Sequence, residues 1–241
     1  MTDGAPQPNI DNLALPEVGA WTEDKHRLVS LCAALFSKGM KKKWGKRVYV
    51  ELYAGAGYSR IRGTQRIILG SPLRARDEKV AEILAQIPQG TRESTVLTLC
   101  FAGPFDIGLK FATIKALSDR FVDFLVLLAV YSDANRAYKR YVMEDALKVD
   151  EFLGSPTWRG RWRIAEANGV LFPKFLAEEF ASSMETLRYL PTPIHRMKRV
   201  RSDDKNLPLY YIALFSRHKL AHDFWDDALK YGTDQTGFNW E

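Results

Sequence analysis

Apolar residues follow two patterns along the chain, and each pattern predicts one kind of element. Where they recur at helical spacing we predict helices over 22–39, 77–87, 109–118, 173–190 and 219–231. Where they run on continuously for a few residues we predict buried strands over 47–53, 95–102, 121–130 and 207–215. Apolar strands that alternate with helices indicate a sheet covered on both faces. The pattern therefore predicts an α/β fold with a mostly parallel sheet, helices on both faces and a C-terminal strand followed by a helix.

The first twenty residues lack either pattern and are rich in Pro, Asn and Gly. We interpret residues 1–20 as a flexible lead-in and residues 21–241 as a single domain. A run of apolar and aromatic residues at helical spacing from residue 135 onwards predicts a helical insertion at about 135–190.

Composition excludes several protein classes. With 46% hydrophobic and 27% charged residues the chain is not wholly disordered. Its longest apolar run, 124–131, is far shorter than the ~20 residues that a membrane-spanning helix needs. The N-terminus has neither the basic nor the apolar segment of a signal peptide, and two cysteines cannot form a disulfide framework. We expect a cytoplasmic protein that does not associate with membranes.

Positive charge is concentrated in two regions. The net charge is +6, and residues 21–47 hold eight Lys and Arg against two acids. Basic residues interleaved with tryptophans are typical of nucleic-acid surfaces, where cations meet phosphates and aromatic rings stack on bases. The candidate nucleic-acid-binding residues are Lys42, Lys43, Arg159, Arg161, Arg163, Arg196, Lys198 and Arg199. The alternative is that these residues simply cover solvated loops and helix ends.

The segment Glu51-Leu-Tyr-Ala-Gly-Ala-Gly57 carries the strongest chemical signal. Gly55 and Gly57 follow a predicted strand and allow the backbone to turn sharply against a ligand. Ligands of open α/β sheets bind at this end of a strand. An acid two residues before an aromatic-Ala-Gly-x-Gly sequence is also how the first motif of many S-adenosylmethionine methyltransferases is written.

Further motifs extend this pattern over residues 21–231. They are Trp21-x-x-x-Lys25-His26, Tyr49 to Gly57, Gly70-Ser71-Pro72-Leu73, Phe101-Ala-Gly-Pro-Phe105, Phe121-Val-Asp-Phe-Leu, Phe152-Leu-Gly-Ser-x-x-Trp158 and Tyr210 to His218. In this order they resemble the three-Cys-motif partner protein (TcmP) family, whose members are similar to class I methyltransferases. The resemblance implies a Rossmann-like methyltransferase fold and S-adenosylmethionine as the cofactor. It implies cofactor contacts at Glu51, Tyr53, Ala54, Gly55, Gly57, Gly70 and Ser71.

Two departures from the family pattern bear on catalysis. Family members carry an acid where this chain has Gly103, so the acceptor-binding motif retains Pro104 and Phe105 and has Asp106 three residues later. The stretch between Gly-Ser-Pro-Leu and the next helix is also short, with residues 74–78 in place of a strand that ends in a ribose-binding acid. Pro104, Phe105 and Asp106 are the candidate catalytic residues.

Two functions follow as hypotheses. The first is a methyltransferase that uses S-adenosylmethionine and acts on or binds nucleic acid, with Phe105 stacking on a flipped base. The second is a catalytically degenerate methyltransferase-fold scaffold that partners a three-Cys-motif protein. A phosphate-handling enzyme ranks last because no carboxylate cluster is evident. His218 and His222 are four residues apart but have no third ligand nearby in the sequence, so we assign no metal site.

Overall fold

The structure is a computed structural model that describes residues 17–53, 58–69, 80–91, 95–202 and 205–231. Its helices are α1 (Trp21–Gly39), α2 (Val80–Gln86), α3 (Phe111–Leu117), α4 (Tyr138–Tyr141), α5 (Lys148–Leu153), α6 (Trp158–Ala167), α7 (Phe172–Thr186) and α8 (Lys219–Tyr231). Its strands are β1 (Glu17–Val18), β2 (Lys46–Leu52), β3 (Tyr58–Ile61), β4 (Ile67–Leu69), β5 (Val96–Ala102), β6 (Val122–Leu128), β7 (Lys198–Arg201) and β8 (Pro208–Phe215). The α/β class predicted from the sequence is confirmed.

Five strands form the central sheet in the order β2-β5-β6-β8-β7. β2, β5 and β6 pair in parallel, whereas β8 runs antiparallel to both of its neighbours, β6 and β7. The sheet is therefore mixed, where the sequence predicts a mostly parallel one. The apolar pattern misses this because a strand buried on both faces is apolar throughout, whichever way it runs.

The two faces of this sheet carry separate hydrophobic cores. Along β5, Leu97, Leu99 and Phe101 pack with α1 and α8 on one face. Cys100 and Ala102 point to the other face, where α3, α5, α6 and α7 pack. This alternation follows from the period of two along a strand and gives three layers, with the sheet in the middle.

A second, smaller sheet has the order β1-β3-β4. β1 pairs with β3 in parallel, and β3 pairs with β4 in an antiparallel hairpin. Glu17 and Val18 thus lie in a strand, although the sequence places them in the lead-in. Their pairing fixes the chain next to the start of α1.

Most long elements lie within a few residues of their predicted bounds, and the differences have local causes. α1 begins at Trp21 and not after a cap at Thr22, because the backbone N–H groups of Thr22 and Glu23 bond to the carbonyls of Gly19 and Ala20. α7 ends at Thr186, four residues before its predicted end, and Arg188 adopts a left-handed conformation with φ of 67°. After β6 the chain enters a π-helix (Val130–Ala134), where the sequence predicts that the strand continues.

In the described ranges, no helix combines the length and apolarity required to cross a membrane.

Candidate functional site

The parallel pairing of β2 and β5 brings two sequence motifs together. Glu51 lies opposite Phe101 and Leu52 opposite Ala102, so both strands end at the same edge of the sheet. The N–H of Gly103 donates to the carbonyl of Leu52 at 3.4 Å, which joins the two ends. Tyr53 then turns the chain with a left-handed φ of 62°. The residues that follow these two strands are therefore neighbours.

A cleft of about 380 Å³ opens at this edge. Its lining comes from both strands, from the start of α1, from the small sheet and from the π-helix. These residues are Glu17, Val18, Gly19, Trp21, Thr22, Lys25, His26, Glu51, Tyr53, Ser59, Arg62, Phe101, Gly103, Phe105, Ser132 and Arg136. Volume does not single this cleft out, because two others measure about 420 and 430 Å³. What distinguishes it is that three of the sequence motifs meet in it.

Lys25 is the lysine of this cleft and lies one helical turn after Trp21. Its Nζ is 6.0 Å from the centre of the Trp21 indole ring. Burial lowers the pKa of Lys25, and the negative charge of Glu51 opposes that shift. A cation and a carboxylate thus face one another in a partly desolvated space, which suits a ligand carrying both charges.

Glu51 is oriented by its neighbour on the same strand face. The hydroxyl of Tyr49 donates to Glu51 Oε2 at 3.2 Å. Burial, followed by the charge of Glu51, raises the pKa of Tyr49 well above its ordinary value, so Tyr49 remains a donor. Nearby, the Tyr53 hydroxyl donates to the carbonyl of Gly108 at 3.4 Å. Hydrogen bonds therefore hold both predicted cofactor residues of β2.

Gly103 and Phe105 line another part of the cleft. Phe105 is 79% exposed, whereas Pro104 is buried. A Cβ at position 103 would lie 2.8 Å from Cζ of Phe101, whose ring is itself only 2% exposed. The ring of Phe101 thus fills the space that the family's acid would need.

Asp106 does not line the cleft. It accepts a hydrogen bond from the N–H of Gly108 at 2.7 Å and pairs with Lys148 Nζ at 2.7 Å. Lys148 also lies 3.4 Å from Asp133, which accepts hydrogen bonds from Tyr141 and from the N–H of Ile107. Burial would lower the pKa of Lys148, but hydrogen bonds with Asp106 and Tyr141 raise it, so this lysine stays charged. Asp106 serves in a network that ties the loop after β5 to α5.

The remaining cofactor residues predicted from the sequence are Ala54, Gly55, Gly57, Gly70 and Ser71, and they lie outside the described residues. Their flanking residues are described. Tyr53 and Ser59, which lie on either side of residues 54–57 in the sequence, both line the cleft.

Four of the arginines predicted to bind nucleic acid form ion pairs within the protein. Arg159 is 8% exposed, pairs with Asp150 at 2.7 Å and donates to two backbone carbonyls. Arg161 pairs with Glu179, Arg163 with Glu144 at 2.9 Å, and Arg196 with Asp226 at 2.5 Å. The structure thus gives these side chains internal partners that their sequence pattern does not reveal.

The other four predicted nucleic-acid-binding residues form two pairs, which lie apart from the cleft and from each other. Lys42 and Lys43 are exposed after α1, next to the start of β2. Lys198 and Arg199 lie on β7, the strand at the far edge of the central sheet. They line a different cleft, between α1 and α8. The structure does not gather the predicted residues into a single surface.

Several cleft residues were not predicted from the sequence. The small sheet and its hairpin turn place Glu17, Ser59 and Arg62 at the cleft. The π-helix and the residues that follow it place Ser132 and Arg136 there. Short strands of mixed polarity give only a weak periodic signal in the sequence, and a π-helix gives no periodic signal.

The comparisons with known proteins leave the family open. The chain has no significant match to a protein-family model, to a curated protein or to a solved structure.

Within the described part of the chain, no group of three or more His, Cys, Asp or Glu side chains is arranged to hold a metal ion.

Proposed function

We propose that this protein is an S-adenosylmethionine-dependent, methyltransferase-like protein that acts on or binds nucleic acid. One observation carries the proposal: Trp21 and Lys25, Glu51 and Tyr53, and Gly103 and Phe105 line the same cleft, although about 80 residues separate the first pair from the last. They come from three of the motifs that carry the resemblance to the TcmP family, although Gly103 is itself a departure from the family pattern.

The position of the cleft supports the proposal. In open α/β sheets, ligands bind outside the carboxyl ends of parallel strands. β2, β5 and β6 are successive parallel strands of such a sheet, and the cleft lies beyond the ends of β2 and β5. We therefore propose a Rossmann-like methyltransferase fold in which β8 and β7 complete the sheet with a reversed strand.

Charge in the cleft supports this cofactor. S-adenosylmethionine carries an α-amino group, a carboxylate and a sulfonium. The carboxylate of Glu51 suits the cationic groups of the cofactor, and Lys25 and Arg62 suit its carboxylate. Phe105, exposed at the mouth, offers a stacking surface to an acceptor base.

Isothermal titration calorimetry with S-adenosylmethionine tests the proposal. We expect binding by the wild-type protein and at least about tenfold weaker binding by Glu51→Gln, since a charged hydrogen bond contributes about 1.5–3 kcal/mol. Glu185→Gln is the matched control, because Glu185 is an exposed glutamate on α7 away from the cleft. Absence of binding by the wild-type protein at millimolar cofactor would overturn the proposal.

A second function is favoured by the packing around position 103. Gly103 contributes no side-chain acceptor, Phe101 fills the adjacent space, and Asp106 is engaged by Lys148. A cleft that binds cofactor but lacks the acid would serve a scaffold that partners a three-Cys-motif protein. Transfer of radiolabelled methyl groups to mixed RNA and DNA separates the two functions, because the scaffold predicts cofactor binding without transfer.

A further inference from the structure

At the end of the central sheet opposite the cleft, where the parallel strands begin, four lysines lie beside an exposed aromatic ring. Lys41, Lys42, Lys43 and Lys46 lie in the segment 41–46, here called the lysine loop, and all four are exposed. Phe121 directly precedes β6 and is 58% exposed. Both features lie at the amino ends of the parallel strands. The cofactor cleft is at their carboxyl ends, about 20 Å away along a seven-residue strand.

Backbone hydrogen bonds hold the lysine loop in place. The N–H groups of Lys43 and Trp44 both donate to the carbonyl of Met40 at 3.1 Å, and Met40 is almost fully buried. The N–H of Gly45 donates to the Thr95 hydroxyl at 3.2 Å, and that of Lys46 donates to the Thr95 carbonyl at 2.9 Å. The lysines therefore project from a defined backbone.

The charges of these lysines are not neutralised by the part of the protein that the structure describes. No ion pair links any of the four to another described residue. Arg159, Arg161, Arg163 and Arg196, by contrast, each pair with a carboxylate. The four exposed lysines therefore give this surface a positive charge that no described carboxylate pairs with.

The aromatic ring beside the lysines is positioned to stack. Trp44, inside the lysine loop, packs against Phe121 with ring centres 5.3 Å apart, and His218 lies 5.9 Å from Trp44 on its other side. An exposed phenylalanine supported by a tryptophan keeps one face available to solvent. Unpaired nucleobases stack on such rings whatever their sequence.

A cavity of about 420 Å³ adjoins Phe121, and its lining combines apolar groups with polar side chains. The polar side chains include Gln89, Thr95, Thr98 and Arg120. Thr98 is only 1% exposed, and its hydroxyl has no hydrogen-bond partner among the residues that the structure describes. A buried hydroxyl of this kind is normally satisfied, so a ligand that reaches the cavity would find an unused donor and acceptor.

We propose that this edge is a binding surface for single-stranded nucleic acid. The phosphates lie along the lysine loop, one base stacks on Phe121, and the edge of that base faces the cavity lined by Thr98. Charge complementarity selects a polyanion, and the exposed ring beside a cavity that holds polar side chains selects one that carries bases. The surface is separate from the cofactor cleft, because no residue of the cleft forms part of it.

Fluorescence anisotropy with a labelled single-stranded 16-nucleotide RNA, measured over a series of salt concentrations, tests the proposal. The variant Lys41→Ala/Lys42→Ala/Lys43→Ala should weaken binding and reduce the salt slope by about 2, since each contact with a single strand contributes about 0.7. Phe121→Ala should weaken binding about tenfold while leaving the slope unchanged, because stacking is not ionic. Phe121 is exposed, so this variant should fold, and its thermal unfolding confirms that.

The matched control is Lys110→Ala/Lys174→Ala, which removes two exposed lysines that pair with Glu151 and Glu178 and should leave affinity and slope unchanged. Equal losses in this control would overturn the proposed surface. Poly-glutamate distinguishes nucleic acid from an acidic protein partner. If it displaces the RNA as well as unlabelled RNA does at equal charge, the surface selects only a polyanion and the proposal fails. Calorimetry with S-adenosylmethionine on the lysine variant keeps this test separate from that of the cofactor cleft.

Discussion

Gly103 shows how one residue can set both packing and chemistry. Its missing side chain leaves room for the Phe101 ring, which belongs to the core beneath the cleft. Position 103 and Phe101 should therefore be energetically coupled, as residues in contact are.

A double-mutant cycle measures that coupling. Gly103→Ala should lower the free energy of unfolding by about 1–3 kcal/mol, because the new methyl group overpacks the site. In a Phe101→Leu background the same change should cost less, since the smaller side chain leaves space. Urea denaturation of the four proteins gives the coupling, and a strictly additive result would contradict the packing seen here.

An acid at position 103 would meet the same contact with Phe101. Gly103→Asp in the Phe101→Leu background should bind cofactor as the background does and should transfer methyl groups faster, by roughly 10²-fold if the acid orients the acceptor. Radiolabelled transfer to mixed RNA and DNA measures this. No gain in a folded, cofactor-binding variant would favour the scaffold function.

Lys25 illustrates a residue that the fold keeps at a cost in stability. Because burial lowers its pKa in the folded state, the folded protein binds this proton less tightly than the unfolded chain does. The charged lysine is therefore destabilising at neutral pH, and the cost disappears as the pH rises above the ordinary lysine pKa of 10.5.

Lys25→Met should consequently raise the melting temperature at pH 7, and the gain should shrink towards pH 10.5. Cofactor binding should weaken in the same protein. Thermal unfolding at the two pH values and calorimetry measure these effects together. A fall of several degrees at pH 7 would show that Lys25 stabilises the fold.

At the scale of elements, polar contacts as well as packing fix the helices on the sheet face opposite α1 and α8. Arg159 of α6 joins Asp150 of α5 to the carbonyls of Met143 and Ala146, and Trp158 donates to the same carboxylate at 2.7 Å. Arg161, one half-turn along, forms its ion pair with Glu179 at the protein surface.

These two arginines should differ sharply in their effect on stability. Arg159→Met removes a nearly buried guanidinium that pairs with Asp150 and donates to two carbonyls, and should cost about 3–5 kcal/mol. Arg161→Ala removes a guanidinium that is about half exposed and should cost at most about 1 kcal/mol. Chemical denaturation compares the two variants, and similar losses would contradict the different burial of the two arginines.

Elements were predictable from the sequence where burial imposes a strong pattern. β5 and β6 are buried at every position, and their predicted strands contain them. β7, with the sequence Lys-Arg-Val-Arg, was missed because an edge strand of four residues can remain polar. The direction of β8 was missed as well, since strand direction depends on the connections between elements and not on the strand's own residues.

At the scale of the whole molecule, the cleft was predictable in part. The glycine-rich motif and the motif after β5 predict a site at the end of the sheet where this cleft lies, because the ends of adjacent parallel strands meet there. The basic residues were not predictable in the same way. Whether an arginine faces solvent or a carboxylate depends on contacts between distant elements, such as that of Arg161 on α6 with Glu179 on α7.

Overall stability should depend on pH through a buried acid in the sheet. Asp123, on β6, is 2% exposed, and one of its oxygens has no hydrogen-bond partner in the described part of the chain. Burial raises its pKa to about 7, although a hydrogen bond from Ser216 and the charge of Arg217 oppose the shift. The folded state therefore retains a proton that the unfolded chain loses near pH 4, so this residue makes the protein progressively less stable from pH 4 to pH 7.

Asp123→Asn should remove this dependence. We expect the variant to match the wild type near pH 4 and to exceed it at pH 8 by an amount on the order of a few kcal/mol. Thermal and urea unfolding across this pH range measure the difference. A variant that is less stable than the wild type at pH 8 would show that the ionised carboxylate is satisfied in the folded state.

α1 connects two distant parts of the molecule. Trp21 and Lys25 in its first turns line the proposed cofactor cleft, and only Met40 separates its last residue, Gly39, from the lysine loop. A helix of 19 residues is about 28 Å long and moves largely as a rigid rod. If the cofactor shifts the first turns of α1, the displacement reaches the lysines at its other end. By thermodynamic reciprocity RNA would then alter cofactor affinity by the same factor, so a single helix would make the two ligands cooperative.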